Sequence, residues 1–406
     1  MNLSYFISKR ISREQRSGFA STIHKIAIVS IGIGLGAAIV SFLIMKGFQE
    51  TIQNKIYGFN GHLLITKLTP SNSVDEEPMD FHVDAYDHPE RYPYIRHMQE
   101  YAHKTGLVKT QDEVLGVVFK GVGKSFDQKA FQENLIAGKF IQFPDSSHSN
   151  EVVISQIIAD KLKAKVGDFI IVHFFQNPPR FRKLKIAGIY ETNLSEYFDS
   201  KVILGDIRLI ARLNDWAEGV SGGLEVFIYD PEHAEEAREV LAESTDFDMR
   251  IDLISERYQQ VFEWLGLVNR QVVILLCIIL TVVCVNMISI VLILVMERTQ
   301  MIGMLKALGG NDRLVRSIFI YQGFSLVIKG LFLGNLIGLG LCSLQYYFKI
   351  AKLNPHDYYM SFVPISWHWE TVWMLNLLTL MVVTAVLIIP TEVIVRIRPI
   401  KAIRFD

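Results

Sequence analysis

The sequence predicts a polytopic α-helical membrane protein with four transmembrane helices and a large extracytoplasmic α+β domain between the first and the second. Half of the 406 residues are hydrophobic and only 20% are charged. Four long runs of the sequence contain no charged residue. The charges divide unevenly, because residues 48–265 carry a net charge of −12 and the rest of the chain carries +11. This composition excludes disordered and collagen-like chains, and the overall charge of −1 gives no reason to expect a nucleic-acid partner.

Each uncharged run is long enough to cross a bilayer, since a helix of about 20 residues spans the roughly 30 Å hydrocarbon core. Buried helices of a large soluble protein are the alternative, but four such runs in one chain favour a membrane. The first run is too long for a cleaved secretory signal, and no small-residue cleavage site follows it. The runs are residues 26–45, 271–296, 330–348 and 371–391.

The runs and their flanks divide the chain into consecutive segments. These are an interfacial N-terminal helix at 1–25, spans at 26–47, 266–296, 317–348 and 371–391, an α+β domain at 48–265, a cytoplasmic connection at 297–316, a loop at 349–370 and a tail at 392–406. Lys and Arg accumulate in cytoplasmic loops. The two termini and the 297–316 connection carry thirteen of them, against two in residues 346–370. We therefore expect both termini in the cytoplasm and the α+β domain outside.

The exported segment contains many stretches rich in β-branched and aromatic residues, which are typical of strands. Predicted strands are Gly61–Thr66, Val114–Lys120, Glu151–Ser155, Phe169–Phe175, Leu184–Tyr190 and Leu224–Tyr229. Predicted helices are Pro93–Lys104, Gln156–Lys163 and Pro231–Glu243. The pattern favours an α+β domain of two lobes.

No motif in this domain predicts an enzyme. The stretch Gly121–Ser125 resembles the end of a phosphate-binding loop, but Val118 stands where that loop requires glycine. The histidines lack metal-ligand spacing, so we expect neither a metal site nor catalytic residues. The three cysteines lie inside apolar runs, which excludes a disulfide framework in the exported segment.

Glycines at four-residue spacing predict close helix packing in the membrane, where small residues let backbones approach. Gly32 and Gly36 lie in the first span, and Gly330, Gly334 and Gly338 form a stripe along the third. The contacts would lie within the chain or across a dimer, and glycine merely tolerated in lipid is the plain alternative.

Lys329 immediately precedes the glycine stripe of the third span. A charge inside the membrane is a functional candidate because its burial is costly. We favour the simpler interpretation, in which its side chain reaches back to the cytoplasmic interface.

The cytoplasmic connection predicts a short amphipathic helix. Met301, Met304, Leu305 and Leu308 recur at helical spacing, and Gly309-Gly310 then suits a helix stop. Such a helix would bind either the membrane surface or another protein. Residues 2–20 predict a second interfacial element, with apolar residues near one face and basic residues elsewhere.

Several motifs, in this order, resemble the FtsX/MacB-like permease superfamily of ABC transporters, and most closely its lipoprotein-releasing (Lol-type) permeases. The similarity extends over nearly the whole chain. It is carried by Tyr5–Arg10, Ile31–Gly36, Met45–Phe48, Glu151–Ile154, Ala159–Leu162, Val166–Asp168, Glu297–Gly309, Ile318–Gly323 and Arg398–Arg404.

The resemblance implies a permease of the bacterial inner membrane without an ATPase of its own. It would pair with a second permease copy or paralogue and with separate cytoplasmic subunits that bind ATP and Mg. Motion driven by ATP would lift a lipoprotein from the membrane toward a periplasmic carrier. The helix that couples the permease to the ATP-binding subunit would comprise Glu297, Arg298, Met301, Met304, Leu305, Lys306, Leu308 and Gly309.

The resemblance also implies an apolar cavity for acyl chains at the exported ends of the spans. Its candidate residues are Met45, Phe48, Phe262, Leu265, Val268, Tyr358 and Tyr359, although aromatic residues there are equally typical of an interfacial belt. One Lol permease type grips the carrier with a hairpin. The matching stretch here, Phe174–Arg182, is short, so the sequence does not predict direct carrier docking.

Two other functions remain open within the superfamily. A MacB-like exporter would move small amphiphiles or peptides, and an FtsX-like protein would signal to a cell-wall hydrolase. The large exported segment disfavours the second.

Overall fold

The computed structural model describes residues 19–68, 76–109, 114–145, 147–176 and 178–395. Most of the predicted interfacial helix at 1–25 and of the tail at 392–406 lies outside these ranges. The chain forms two compact units. The helical unit comprises Met1–Glu50, Trp264–Lys352 and Phe362–Asp406, and the α+β unit comprises Thr51–Glu263 and Leu353–Ser361.

The α-helices differ greatly in length. In chain order they are α1 (Phe19–Asn60), α2 (Asp84–Asp87), α3 (Gln128–Phe131), α4 (Gln156–Leu162), α5 (Ile207–Leu213), α6 (Ala234–Ser244), α7 (Ile254–Arg257), α8 (Gln259–Glu297), α9 (Thr299–Ala307), α10 (Asp312–Phe348), α11 (Pro355–Tyr358), α12 (Trp369–Val386) and α13 (Ile388–Val395).

The strands all belong to the α+β unit. They are β1 (Leu63–Lys67), β2 (Met79–Asp80), β3 (Ile95–Lys109), β4 (Val114–Val122), β5 (Leu135–Gly138), β6 (Glu151–Ser155), β7 (Phe169–Phe174), β8 (Arg180–Tyr190), β9 (Val202–Asp206), β10 (Val220–Ser221), β11 (Gly223–Ile228) and β12 (Met249–Leu253).

Four helical segments in the described ranges are long and apolar enough to cross a membrane: Ser21–Asn60, Gln259–Glu297, Asp312–Phe348 and Trp369–Glu392. Three of these helices extend well beyond the uncharged runs of the sequence. Their buried side chains form one apolar core, which includes Ile31, Leu35, Ile39, Met287 and Val327.

The glycine stripe of α10 lies against α1. A Cβ added to Gly330 would lie 2.6 Å from the Cβ of Ile31, and one added to Gly334 would lie 2.8 Å from the Cβ of Leu35. Real Cβ atoms do not approach so closely, so the two helices pack at a distance that only glycine permits. This contact lies within one chain.

Polar side chains link the other spans. Asn335 of α10 and Asn376 of α12 exchange two side-chain hydrogen bonds of 2.6 and 3.0 Å. Each amide also donates to a backbone carbonyl one turn earlier. Both polar groups are therefore satisfied without water, as an apolar environment requires.

The α+β unit is built on one mixed sheet in the order β12-β1-β11-β3-β4-β9-β6-β8-β5. Strand β7 pairs with both β8 and β3, so β3, β4, β9, β6, β8 and β7 form a closed ring. The pairs β4–β9 and β6–β8 are parallel, and the other pairs in the ring are antiparallel.

The α+β unit contains two apolar cores. One fills the strand ring and includes Phe119, Ile154 and Val172. The other lies where β1, β11 and α6 meet and includes Ile65 and Leu241.

The predicted helix at Pro93–Lys104 is wrong, because this stretch forms most of β3. Its residues from Met98 to Ala102 are all buried, although they include Gln99 and Glu100. Strand β3 contributes to both cores, and because Met98–Ala102 is buried on both faces, this stretch lacks the alternating pattern of a half-exposed strand.

Candidate functional site

The short helix α9 occupies the connection in which the sequence predicted one. Ile302 and Gly303 are buried on its inner side, whereas Met304 is 51% and Leu308 86% exposed. Met301 and Leu305 are half-buried. The exposed apolar surface of α9 is therefore at its C-terminal end, around Met304 and Leu308.

The end of α9 is held by local interactions. Gly309 has a φ of +90°, a conformation that stops the helix and that glycine adopts without strain. Asn311 caps α10 by accepting a hydrogen bond from the Leu314 N–H at 2.9 Å. Lys306 pairs with Asp312 at 2.8 Å, so its charge is engaged within the chain. Glu297 ends α8 and is exposed, and Arg298 precedes α9.

The predicted cavity residues are divided between the two units. Met45 and Leu265 are buried in the helical unit, and Val268 packs against its core. Phe48 lies edge-on to Trp264 at 5.6 Å. In the α+β unit, Phe262 packs against Tyr57, while Tyr358 is exposed. Tyr359 follows in the same loop.

A polar cluster that the sequence did not reveal ties α1 to the segment before α12. The Glu50 carboxylate accepts a hydrogen bond from Ser366 Oγ at 2.5 Å and contacts the His368 ring. Gly47 lies beside it, because a Cβ there would sit 2.8 Å from the carbonyl oxygen of Pro364. Ser366 and His368 lie 316 and 318 positions from Glu50 along the chain, so no local sequence pattern predicts their contact with it.

The C-terminal end of α1 is anchored in the α+β unit. Gly61, at φ +75°, ends the helix and lies so close to β11 that a Cβ would approach the Val226 carbonyl oxygen to 2.9 Å. Lys120 of β4 donates a hydrogen bond to the Phe59 carbonyl, which the helix itself leaves unpaired. Glu225 of β11 pairs with the same ammonium at 2.6 Å.

His62 follows this helix end and is mostly buried. It stacks on Tyr57 with ring centroids 4.3 Å apart, and its Nδ1 accepts a hydrogen bond from the Ile228 N–H. Burial and the nearby Arg96 guanidinium lower the pKa of His62 to about 4. The ring is therefore neutral at physiological pH, as the hydrogen bond to Nδ1 requires.

The hairpin of β7 and β8 exposes an aromatic and basic face. Its outward pairs across the hairpin are Phe169 with Lys185, Ile171 with Lys183, and His173 with Phe181. The Lys183 ammonium lies 4.6 Å from the Phe169 ring centroid. Residues 161–185 carry seven Lys or Arg and one Asp, in contrast to the acidic segment around them.

The sequence motifs set aside as non-catalytic have structural explanations. Gly121 and Val122 lie within β4, and Lys124 pairs with Asp145 at 2.7 Å. In the described ranges, no group of three or more His, Cys, Asp or Glu is placed to hold a metal ion. Lys329 is exposed on α10, with no ion pair to another described residue.

A cavity of about 600 Å³ lies in the α+β unit beside α5. Its walls include Arg208, Arg212, His148 and Trp216. Burial, followed by the charge of Arg212, lowers the pKa of His148.

The described residues thus define a class of protein, in which four helices long and apolar enough to cross a membrane are combined with an α+β domain. Residues 26–243 match the MacB-like periplasmic core domain, and residues 273–399 match the FtsX-like permease C-terminal domain. The chain belongs to the family of FtsX-like permeases with a MacB-like periplasmic core domain.

Two curated relatives match it over all or nearly all of their length. The chain is 23% identical to the lipoprotein-releasing system transmembrane protein LolC of Neisseria meningitidis serogroup B, with 100% of both chains covered. It is also 23% identical to LolE of the same kind of system in Haemophilus influenzae, with 92% of each covered. Among solved structures, the periplasmic region of MacB from Actinobacillus actinomycetemcomitans is 14% identical with a TM-score of 0.35, covering 52% of this chain and 98% of that one.

Proposed function

We propose that this chain is the permease subunit of an ABC transporter that couples ATP hydrolysis by a separate cytoplasmic subunit to extraction of lipoproteins from the inner membrane. The observation that carries the proposal is the end-to-end similarity to transmembrane proteins of lipoprotein-releasing systems. The chain would itself be no enzyme, with ATP and Mg bound by the partner subunit.

The exposed end of α9 supports docking of that subunit. Met304 and Leu308 present apolar side chains beside Ala307 and Gly309, all exposed. Neighbouring apolar side chains exposed on a short cytoplasmic helix are typical of a protein interface. In this proposal α9 seats in a groove of the ATP-binding subunit, and both termini are cytoplasmic.

In this proposal the two long helices α1 and α8 transmit motion to the α+β unit. They have 42 and 39 residues, and each contains residues of the helical unit and of the α+β unit. At 1.5 Å per residue each is about 60 Å long, roughly twice the thickness of the hydrocarbon core. A tilt at one end of such a rod displaces the other end, so motion begun at α9 reaches the α+β unit.

A second permease, identical or paralogous, would cover one face of α8. Thr281, Asn286 and Ser289 are exposed on this span, and Asn286 donates to Ser30 of α1 at 2.9 Å. Hydroxyl and amide side chains are enriched where transmembrane helices meet and are unfavourable toward lipid. An acyl chain would enter beside this face, with Phe48 and Val268 as the candidate contacts nearest the exported side.

The β7–β8 hairpin supports transfer to a soluble periplasmic carrier. Its face combines Phe169, Ile171 and Phe181 with a positive local charge. This combination suits an acidic partner with an apolar rim, because aromatic anchors provide affinity while charge guides encounter. The hairpin therefore favours direct docking of the carrier, which the length of its loop did not predict.

Depletion of the chain tests the function. A labelled outer-membrane lipoprotein should stop passing from spheroplasts to added soluble carrier, and re-expression of the chain should restore release. Continued release together with failure of amphiphile efflux would indicate a MacB-like exporter. Continued release together with failure of cell-wall hydrolysis would indicate an FtsX-like signalling protein.

A further inference from the structure

Lys55 joins three parts of the α+β unit that are distant in sequence. It lies on α1, one turn before the helix ends. Its ammonium donates hydrogen bonds of 2.7 Å to the carbonyl oxygens of Thr192 and Tyr359. These partners are 137 and 304 residues away along the chain.

On one side of this contact, Thr192 is held by further hydrogen bonds. Asp199, which is buried, accepts hydrogen bonds from the Thr192 N–H at 3.1 Å and from its hydroxyl at 2.8 Å. Burial raises the pKa of Asp199, while the Thr192 hydrogen bonds and the Lys55 charge oppose this rise. The carbonyl that Lys55 binds is thus held in place by a second buried polar group.

The Tyr359 side belongs to the loop between the third and fourth spans. Residues 353–361 of this loop are part of the α+β unit rather than of the helical unit. Leu353 N–H donates to the Ser361 carbonyl at 3.0 Å, and Met360 is buried. Tyr359 has a φ of +60°. Residues other than glycine rarely adopt this backbone angle unless the surrounding structure holds them in it.

We propose that Lys55 is a positioning residue that fastens the loop 353–361 to the exported end of the first span, so that the loop moves with α1 during the transport cycle. A lysine suits this role because its ammonium has three donors and no acceptor, and can bind several carbonyls at once. The inference rests on the proposed function and deepens it, since the loop carries Tyr358 and Tyr359, two of the candidate contacts for the acyl chain.

The test compares Lys55→Met and Lys55→Arg in the full complex with its ATP-binding subunit, reconstituted in proteoliposomes. Methionine keeps an apolar stem and removes the donors, whereas arginine keeps the charge. Lys67→Met is the matched control, because Lys67 lies in the same unit and its ion pair with Asp248 is at the surface and 3.6 Å long. Lipoprotein released per ATP hydrolysed and hydrogen exchange of residues 353–361 are measured.

For Lys55→Met we expect release per ATP to fall at least about fivefold while the ATPase rate stays within about twofold of wild type. Amide exchange should rise about tenfold in 353–361 and stay unchanged in β4 and β6, which shows that the sheet is folded. Lys55→Arg should retain most of both properties. Lys67→Met should behave as wild type.

Unchanged loop exchange in Lys55→Met would overturn the proposal, whatever happens to release. Unchanged release per ATP with a loosened loop would overturn the role in transport. A wild-type complex that releases no lipoprotein would contradict the proposed function instead, and the exchange comparison would still decide whether Lys55 holds the loop.

Discussion

Lys120 and Glu225 form an ion pair of 2.6 Å in which each side chain is only 1% exposed. Gln99 donates to the second carboxylate oxygen at 2.7 Å, and the Lys120 ammonium also binds the Phe59 carbonyl. Strands β3, β4 and β11 and the end of α1 therefore all contact this ion pair. The pair fixes where the long helix enters the α+β unit.

Removing one partner of this pair should be strongly destabilising. Lys120→Met leaves the Glu225 carboxylate buried without its counter-charge, which costs about 3–5 kcal/mol. Thermal unfolding of the purified full chain should show the loss. The double variant Lys120→Met with Glu225→Leu should recover much of it, because no charge then remains buried. A single variant as stable as wild type would contradict the importance of the pair.

The exposed end of α9 predicts where the ATP-binding subunit docks. Leu308→Asp places a charge at an 86% exposed apolar position, so it should abolish co-purification of that subunit without disturbing the fold. Leu305→Asp should also abolish binding, but Leu305 is half-buried and the variant is the less clean test. Phe247→Asp, at a position 98% exposed in the α+β unit, is the control and should bind normally. Normal yield of the subunit with Leu308→Asp would exclude α9 as the docking helix.

The packing of α10 against α1 predicts a contrast between two glycines of one helix. Gly334→Val introduces atoms where even a Cβ lies 2.8 Å from Leu35, so it should force the helices apart at a cost of roughly 1–3 kcal/mol. Gly340→Val should be tolerated, because no atom lies within 4 Å of its added Cβ. Thermal stability in detergent distinguishes the two variants. Equal stability would mean that α1 and α10 do not pack along the glycine stripe.

The buried neutral ring of His62 predicts a loss of stability in acid. Its pKa is about 4 in the folded chain and about 6.5 in an unfolded one, so the unfolded chain takes up the proton first. The stability that His62 contributes is complete above about pH 6.5 and falls as the pH drops toward 4, by roughly 2–3 kcal/mol. His62→Phe preserves ring stacking on Tyr57 and should give a flatter profile between about pH 7.5 and pH 5. An unchanged profile would show that another group titrates.

The sequence predicted the features that depend on local pattern. The spans could be predicted because hydrocarbon tolerates few charges, so each span is a long uncharged run. The Gly330–Gly338 stripe could be predicted because its four-residue spacing matches one face of a helix. Strand β3 was misassigned because it is covered on both faces. The contacts of Lys120 and Lys55 could not be predicted either, since their partners lie 61 to 304 residues away along the chain and come together only in the folded structure. Of the predicted apolar face of α9, only Met304 and Leu308 are well exposed, because tertiary packing half-buries Met301 and Leu305.

In the proposed transporter, the α+β unit and α9 lie on opposite sides of the inner membrane and are joined by helices that transmit motion. Single cysteines at Phe247 and Leu308, both highly exposed, test it directly with a membrane-impermeant maleimide, and the wild-type chain gives the background from its three cysteines. We expect Phe247→Cys to label in intact spheroplasts and Leu308→Cys to label only after the membrane is permeabilised. Labelling of both from the same side would contradict the layout and the transport function built on it.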